Sequence, residues 1–408
     1  MKILIVNTYL RNTGDAALLN VLITQVRQEW PKATIELASL EEPHDYGIFD
    51  DCPNIGSIRL YSGTMTVSRP RRILRKLMVG VISLGWGRLP KPARGVLVKL
   101  LHPYLRRELE ALDAADLVIS TGGGYLNGTN SLSGNLNVWH LLLPIKLARQ
   151  MGKPVVLAPQ SYGPFGNDYQ RRITKRVLDT VQSILVREGK SLKLLKEIGV
   201  NPALCVAAVD SGFAFDTDVT GKATNDKAKG MKVGITARAW MSKAKQDAYE
   251  QGLAGFIVES QRQHKAQFTL FPQVTSDLYE DDDRVCERRI AALARAEGAT
   301  VEQVDDRPNH HALKRLYAGL DVTVGTRFHS VIFSLTSYVP AIAIEYEHKT
   351  SGIMQDLGLS DWVIKIEDVT AERLAAMYDR MTREHDNYVK HLRKVLPDYI
   401  ARTEETRS

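Results

Sequence analysis

Short apolar segments alternate with helical patterns along most of this chain, and this alternation limits the folds it can adopt. The first apolar segment, Lys2–Asn7, precedes a helical spacing of apolar side chains over Ala16–Trp30. Further apolar segments of strand length are Leu117–Ser120, Pro154–Pro159, Ser183–Val186, Lys232–Thr236, Phe268–Pro272, Asp321–Gly325 and Ala341–Glu345. Strands that are apolar on both faces belong to parallel sheets covered by helices. The sequence therefore predicts an α/β fold with parallel-sheet domains in series.

One polar segment separates two such series of strands. Val219 is the only large apolar residue between positions 218 and 230, which predicts a linker. We predict an N-terminal domain over 1–217, a C-terminal domain over 231–370 and a charged helical tail over 371–408 that could pack on either domain. Ligands of parallel sheets bind at the carboxyl ends of the strands, so we expect the site in a cleft between the two domains.

The basic residues are concentrated in one segment. The net charge is +7, but residues 52–107 contain twelve Lys or Arg and no acid, and the remainder has 42 basic against 47 acidic residues. Basic and apolar residues together with Trp86 suit an anionic membrane surface. The alternative is a solvated surface loop, since no periodicity here establishes one amphipathic helix. Nucleic acid is not expected, because aromatic residues do not alternate with the basic ones.

Cysteine content and hydropathy exclude other classes. Cys52, Cys205 and Cys286 lack metal-binding spacing, and any disulfide leaves one unpaired, so we expect no metal site and a reducing compartment. The apolar runs are shorter than the ~20 residues that cross a bilayer, and the first residues do not resemble a signal peptide. We therefore expect a cytoplasmic protein.

The first candidate motif lies between the first strand and the first helix. It reads Asn12-Thr-Gly-Asp, where Gly14 provides flexibility and the carboxylate lies near the ligand edge of the sheet. Asp15 could bind a substrate hydroxyl, or it could cap the helix.

Two further motifs follow strands of the N-terminal domain. Gly122, Gly123 and Gly124 would let a phosphate or sugar approach backbone amides. A dinucleotide loop is a poor match, because the expected acid ~20 residues later is missing. Gln160 and Ser161 offer neutral groups suited to sugar hydroxyls, and Arg187-Glu188 could be an internal ion pair or a ligand contact.

The C-terminal domain carries the charged candidates. Arg238 follows a strand, from where its guanidinium could bind a carboxylate or phosphate. Arg327 and His329 follow a later strand and add a fixed charge and a titratable proton donor. Glu345 ends the next strand.

Neighbouring polar residues add to this prediction. Thr326 or Ser330 could cap the helix that follows, so that its first amides bind an anion. The acidic run Glu280-Asp-Asp-Asp fits a solvated helix start better than a cation site.

In this order, these motifs resemble those of the polysaccharide pyruvyl transferases, over about residues 1–365. They are the Asn-x-Gly-Asp motif at 12–15, Gly-Gly-Gly at 122–124, Gln-Ser-x-Gly-Pro at 160–164, Gly-Ile-Thr-x-Arg at 234–238 and Gly-Thr-Arg-Phe-His-Ser at 325–330. The resemblance implies a GT-B-like pair of Rossmann-type domains, the first on the acceptor side and the second on the donor side. It also implies transfer of pyruvate from phosphoenolpyruvate to two hydroxyls of one sugar as a cyclic ketal, without a further cofactor. The basic insertion at 52–107 departs from the family.

This chemistry suits the predicted residues. Arg238 and Arg327 would bind the carboxylate and phosphate, and His329 would protonate the methylene carbon while a sugar hydroxyl attacks. Asp15 or Glu345 would serve as base. The acceptor is expected on a lipid carrier, with the enzyme peripheral at the inner leaflet. A GT-B glycosyltransferase using a sugar nucleotide and a non-catalytic membrane-surface scaffold are the alternatives.

Overall fold

The structure is a computed structural model that describes residues 1–41, 49, 51–63, 69–221, 230–275 and 282–405. The chain forms two compact units, the first from residues 1–10, 18–211 and 405–408 and the second from residues 11–17 and 212–404. The second unit thus begins slightly earlier than the linker predicted at 218–230, of which 222–229 lie outside the described residues. It also includes the loop 11–17, which the sequence analysis assigns to the N-terminal domain.

The first unit is built on a parallel sheet. Its strands are β1 (Lys2–Thr8), β2 (Thr34–Ser39), β3 (Leu117–Ser120), β4 (Gly123–Gly128), β5 (Val155–Phe165), β6 (Ser183–Val186) and β7 (Cys205–Ala207). They run in the order β2-β1-β3-β5-β6-β7, with β4 also paired to β5. Apolar side chains such as Ile5, Val118 and Ile184 are buried within it, as strands covered on both faces require.

Helices precede or follow these strands. They are α1 (Thr13–Glu29), α2 (Ile58–Gly63), α3 (Arg69–Gly85), α4 (Lys91–Leu97), α5 (Pro103–Ala114), α6 (Leu132–Gln150), α7 (Asp168–Leu178) and α8 (Gly189–Glu197). The described part of the basic segment is therefore largely helical. Val79, Ile82 and Trp86 of this segment are buried in the core of the first unit.

The second unit contains another parallel sheet. Its strands are β8 (Lys232–Thr236), β9 (Gln267–Leu270), β10 (Val301–Gln303), β11 (Val322–Gly325), β12 (Ala341–Glu345) and β13 (Val363–Lys365). Their order is β10-β9-β8-β11-β12-β13, the 3-2-1-4-5-6 order of a Rossmann sheet. This order places β8 and β11 on either side of the point where the connections reverse direction, where ligands of such sheets bind.

The helices of the second unit are α9 (Lys243–His264), α10 (Asp283–Ala296), α11 (His310–Ala318), α12 (Phe328–Thr336), α13 (His348–Asp356) and α14 (Ala371–Glu405). The predicted tail is α14, and it packs within this unit through residues 371–404. Leu374, Tyr378 and Met381 are buried, and the hydroxyl of Tyr388 donates to the Ala341 carbonyl at 3.0 Å. Among the described residues, we find no helix both long and apolar enough to span a bilayer.

Candidate substrate-binding site

Four of the predicted residues lie at one edge of the second sheet. Strands β8, β11 and β12 are adjacent and parallel, so their carboxyl ends lie side by side. Arg238 follows β8, Arg327 and His329 follow β11, and Glu345 ends β12. The parallel order of the strands brings together residues that are up to 107 positions apart in the sequence.

Arg327 is held by a buried carboxylate. Its Nε lies 3.0 and 3.1 Å from the two carboxylate oxygens of Asp283, and its Nη2 also donates to that carboxylate. The side chains of Arg327 and Asp283 are 9% and 0% exposed. One oxygen of Asp283 also accepts the backbone N–H groups of Gln273 and Val274, at 3.0 and 2.9 Å. The buried carboxylate of Asp283 therefore fixes the orientation of the Arg327 guanidinium and balances its positive charge.

Asp283 belongs to the acidic run that the sequence analysis interprets as a solvated helix start, and for this residue that interpretation is wrong. Asp282 does cap α10, accepting the N–H of Arg284 at 3.0 Å. The side chain of the next residue, Asp283, is instead buried and paired with Arg327. Residues 280 and 281 lie outside the described part of the chain. Four consecutive acids carry no sign of which one is buried, so the sequence offers little to distinguish Asp283.

A second acid lies one helical turn beyond Asp283. Glu287 is fully buried in α10. Burial raises the pKa of its carboxyl well above the usual value, and the negative charge of Asp283 raises it further. Both effects favour the neutral form of the Glu287 carboxyl, whereas Asp283 forms the ion pair with Arg327.

His329 contacts the loop 11–17. A Cβ atom added to Gly14 would lie 2.1 Å from the Nδ1 atom of His329, which no side chain can accept. The loop is held there by Thr13, whose N–H and hydroxyl donate to the Gln273 carbonyl at 3.0 and 2.9 Å. Asn12 forms an isolated antiparallel bridge with Val274. The glycine of the Asn-x-Gly-Asp motif is thus required for close packing on the histidine.

Asn12 also caps the helix that begins in this loop. Its Oδ1 accepts the N–H groups of Gly14 at 3.1 Å and of Asp15 at 3.4 Å. The alternative in which Asp15 caps α1 is therefore wrong: Asp15 lies in the first turn, with its side chain partly exposed.

Thr326 and Ser330 do not cap α12, contrary to the prediction. The helix begins after Arg327, which makes no capping bond through its side chain. The Thr326 hydroxyl lies 2.7 Å from that of Tyr249, and the Ser330 hydroxyl lies 2.8 Å from that of Thr236. Both hydroxyls are buried and bonded within the protein, which fixes the connection between β11 and α12.

Arg238 belongs to a group of cations and aromatic rings that we call the cation–aromatic cluster: Arg238, Trp240, Phe328, Tyr346 and Lys349. The Arg238 guanidinium carbon lies 4.5 Å from the ring centres of both Trp240 and Tyr346. The Lys349 ammonium lies 5.3 Å from the Phe328 ring and 2.8 Å from a carboxylate oxygen of Glu347. Stacking between two rings holds the arginine plane in one orientation.

Tyr346 and Lys349 are not among the residues predicted from the sequence. Tyr346 directly follows Glu345, so its place after a strand could have suggested it. Lys349 lies in the first turn of α13, and nothing in its local pattern indicates a site. Glu345 itself accepts a hydrogen bond from the Ser351 hydroxyl.

In the first unit, the predicted glycines have structural roles. They do not form an open loop, because β4 begins at Gly123 and pairs with β5 at Gln160. A Cβ on Gly122 would lie 2.7 Å from the Pro159 carbonyl, and Gly123 has φ of 126°, where side chains are strained. Their contact with substrate, like that of Gly124, remains a prediction.

Gln160 and Ser161 lie within β5 and are buried. The Ser161 hydroxyl accepts from Arg187 Nε at 2.8 Å and donates to Glu188 at 3.0 Å. Arg187 also pairs with the buried Asp210, so it forms an internal ion pair, one of the two roles that the sequence leaves open. The described residues contain no cluster of three or more His, Cys, Asp or Glu side chains that could bind a metal ion.

The two parallel-sheet units define a GT-B-like fold, and solved structures of sugar-active enzymes share it. HepE of Anabaena, in complex with UDP and glucose, superposes with a TM-score of 0.55 at 12% identity, covering 100% of this chain and 98% of HepE. Sucrose-phosphate synthase from Thermosynechococcus elongatus has a TM-score of 0.57 at 13% identity, with 100% and 96% covered. At these identities the likeness shows the fold alone.

The sequence comparisons are more specific. The family model for polysaccharide pyruvyl transferase matches residues 12–348, so the chain belongs to that family. The amylovoran biosynthesis protein AmsJ of Erwinia amylovora is 28% identical over 414 residues, covering 95% of this chain and 93% of AmsJ. The matched range includes Arg238 and His329, and the family identifies the chain as a transferase of polysaccharide pyruvylation.

Proposed function

We propose that this chain transfers pyruvate from phosphoenolpyruvate to two hydroxyls of one sugar, forming a cyclic ketal on a polysaccharide or glycolipid precursor. The observation that carries the proposal is the edge of the second sheet, where Arg238, Arg327 and His329 follow adjacent strands. Phosphoenolpyruvate combines a carboxylate and a phosphate, and planar arginines bind such groups through paired hydrogen bonds. The similarity to AmsJ supports an exopolysaccharide as the final product.

In the proposed first step, His329 as imidazolium donates a proton to the methylene carbon, and a sugar hydroxyl oxygen bonds to the adjacent carbon. The proton of that hydroxyl passes to a base, for which Asp15 and Glu345 are the candidates. The C–O bond to phosphate then breaks, the oxygen of the second hydroxyl bonds to the same carbon, and the proton of this hydroxyl returns to His329. One phosphate is released for each ketal formed. Proton donation of this type typically accelerates a reaction by ~10²–10⁴.

The arginines have different parts in this proposal. Arg327 is already paired with Asp283, so it supplies oriented N–H donors with little net charge. Arg238 is held between two rings and is the stronger candidate for binding the carboxylate or phosphate. Such fixed donors stabilise charge without reorganising during the reaction.

The proposal extends to the acceptor and the place of action. A sugar on a lipid carrier would be met at the inner leaflet of the membrane, with the protein peripheral to it and no cofactor beyond phosphoenolpyruvate. Incubation with phosphoenolpyruvate and a lipid-linked oligosaccharide should raise the acceptor mass by about 70 daltons, the mass of pyruvic acid less water, and release phosphate.

A donor-binding measurement separates the alternatives. We expect phosphoenolpyruvate to raise the unfolding temperature and nucleotide sugars to leave it unchanged. Protection by a nucleotide sugar alone would replace the proposal with glycosyl transfer. Protection by neither donor, with no phosphate release, would favour a non-catalytic scaffold.

A further inference from the structure

Helix α3 of the first unit has an apolar face that is exposed to solvent. Leu74, Leu77, Val81 and Leu84 are each 62–70% exposed, and Met78 between them is 37% exposed. Their spacing of three and four residues places them along one side of the helix, which we call the α3 apolar face. Surface leucines are usually scattered singly, so a continuous row of five apolar side chains requires an explanation.

The opposite side of the same helix is part of the protein core. Val79, Ile82 and Ser83 are at most 5% exposed, and Trp86 just after the helix is buried with them. Because this side is packed, the helix is anchored with its apolar face directed outward. The following segment continues the pattern, since Val96 and Leu100 are 66% and 80% exposed.

The charge of the segment that contains the α3 apolar face indicates what covers it. Residues 52–107 contain twelve Lys or Arg and no acid, and exposed basic side chains include Arg71, Arg88, Lys91 and Lys99. A second copy of this chain would bring the same positive charge to the face, which opposes self-association. An anionic bilayer surface offers negative headgroups above an apolar layer and thus complements both features.

We infer that α3 lies on an anionic membrane surface, with the α3 apolar face inserted at the level of the headgroups. The inference rests on the proposed function only for the acceptor, since a lipid-linked sugar would be found on the same surface. Docking by a folded, anchored helix would hold the first unit at a fixed height above the bilayer. A disordered basic tail could not do this.

Binding of the full chain to vesicles tests the inference. The vesicles are phosphatidylcholine with 30% phosphatidylglycerol, compared with phosphatidylcholine alone, in a co-sedimentation assay. We expect binding to the mixed vesicles only, weakened at least tenfold in Leu77→Asp. We expect Arg71→Gln to weaken it about fivefold, the effect of one basic residue near such a surface. Leu132→Asp changes a leucine that is 76% exposed at the start of α6, and it should bind like the parent.

The remaining outcomes would overturn the inference. They are equal binding by Leu77→Asp and the parent, equal binding to both vesicle types, and a concentration-dependent dimer that Leu77→Asp abolishes in ultracentrifugation. Both leucines are exposed, so unchanged unfolding temperatures check that the variants are folded. Phosphate release with a water-soluble acceptor, measured without vesicles, should be equal in parent and Leu77→Asp. A chain that binds vesicles but never consumes phosphoenolpyruvate would retain this inference and lose the proposed function.

Discussion

The pairing of Asp283 with Arg327 allows a prediction whose size follows from the structure. In Asp283→Asn the guanidinium keeps its buried position and loses the carboxylate that matches its charge. The new amide also cannot accept all the bonds that Asp283 accepts from Arg327, Gln273 and Val274. Removing one partner of a buried ion pair costs about 3–5 kcal/mol. With a denaturant slope of about 1–3 kcal/mol/M, the urea midpoint of the second unit should fall by at least about 1 M.

Glu287→Gln is the matched control for this substitution. It also replaces a buried carboxyl of α10 by an amide, one helical turn away. Burial raises the pKa of Glu287 and so favours its neutral form, which an amide resembles in charge and shape, and we expect a change below about 1 kcal/mol. Urea unfolding at pH 7.5, followed by fluorescence and circular dichroism, measures both variants.

Catalysis gives a second test of the same pair. In Asp283→Asn the buried Arg327 loses the carboxylate that orients its guanidinium, so phosphoenolpyruvate turnover per folded molecule should fall while Glu287→Gln retains it. Asp283→Glu, which restores the charge on a longer side chain, should recover part of the activity. Equal stability of Asp283→Asn and Glu287→Gln would refute the reasoning, because it would mean that the carboxylate charge does not stabilise Arg327.

Three further predictions concern single residues. Gly14→Ala should lower activity at least tenfold, because the new methyl group would occupy the position of the His329 ring. Gly352→Ala is the control and should leave activity unchanged, because nothing lies within 4 Å of its new Cβ. Measuring kcat for both variants separates a local clash from a general effect of the substitution. His329→Gln should lower phosphate release by ~10²–10⁴ while phosphoenolpyruvate still raises the unfolding temperature; near-normal turnover would remove the histidine from proton donation. Burial raises the pKa of Glu108 to about 7, which means that the folded protein favours the protonated carboxyl. The stability that this protonated form contributes is fully present below pH 4.5, and it is lost as the pH rises through 7. Glu108→Gln should therefore be more stable than the parent by roughly 3 kcal/mol at pH 8 and should differ little at pH 4.5, as urea unfolding at the two pH values would show.

The strands predicted most accurately are those covered on both faces. The bounds of β3, β6, β8 and β12 are those of the apolar segments in the sequence, because burial on both sides leaves an uninterrupted apolar run. The missed strands lack this signal. In β2 the acid Glu36 interrupts the run, β4 consists largely of Gly, Asn and Tyr, and β7, β10 and β13 have only three residues each. Their positions depend on pairing with a neighbour, which a single sequence does not reveal.

The site could also be predicted only in part, because only some of its residues carry a signal in the sequence. Arg238, Arg327 and His329 follow strands, so the rule that ligands bind at strand ends finds them. Asp283 begins a helix 44 residues before its partner, and its neighbours are equally acidic. Only the fold, which brings the start of α10 against Arg327, distinguishes it. The exposed apolar face of α3 could not be predicted either, because apolar residues lie on both sides of the helix and only the fold shows which side is buried.

The contacts of Gln273 explain why a loop near the chain start and an acidic run near position 283 belong to one arrangement. The backbone N–H of Gln273 donates to Asp283, and its carbonyl accepts from Thr13. One carboxylate thereby orients Arg327 directly and also holds the segment on which the loop 11–17 rests. That loop in turn places Gly14 against His329. The arginine and the histidine are therefore positioned through a common support, and a change at Asp283 should disturb both together.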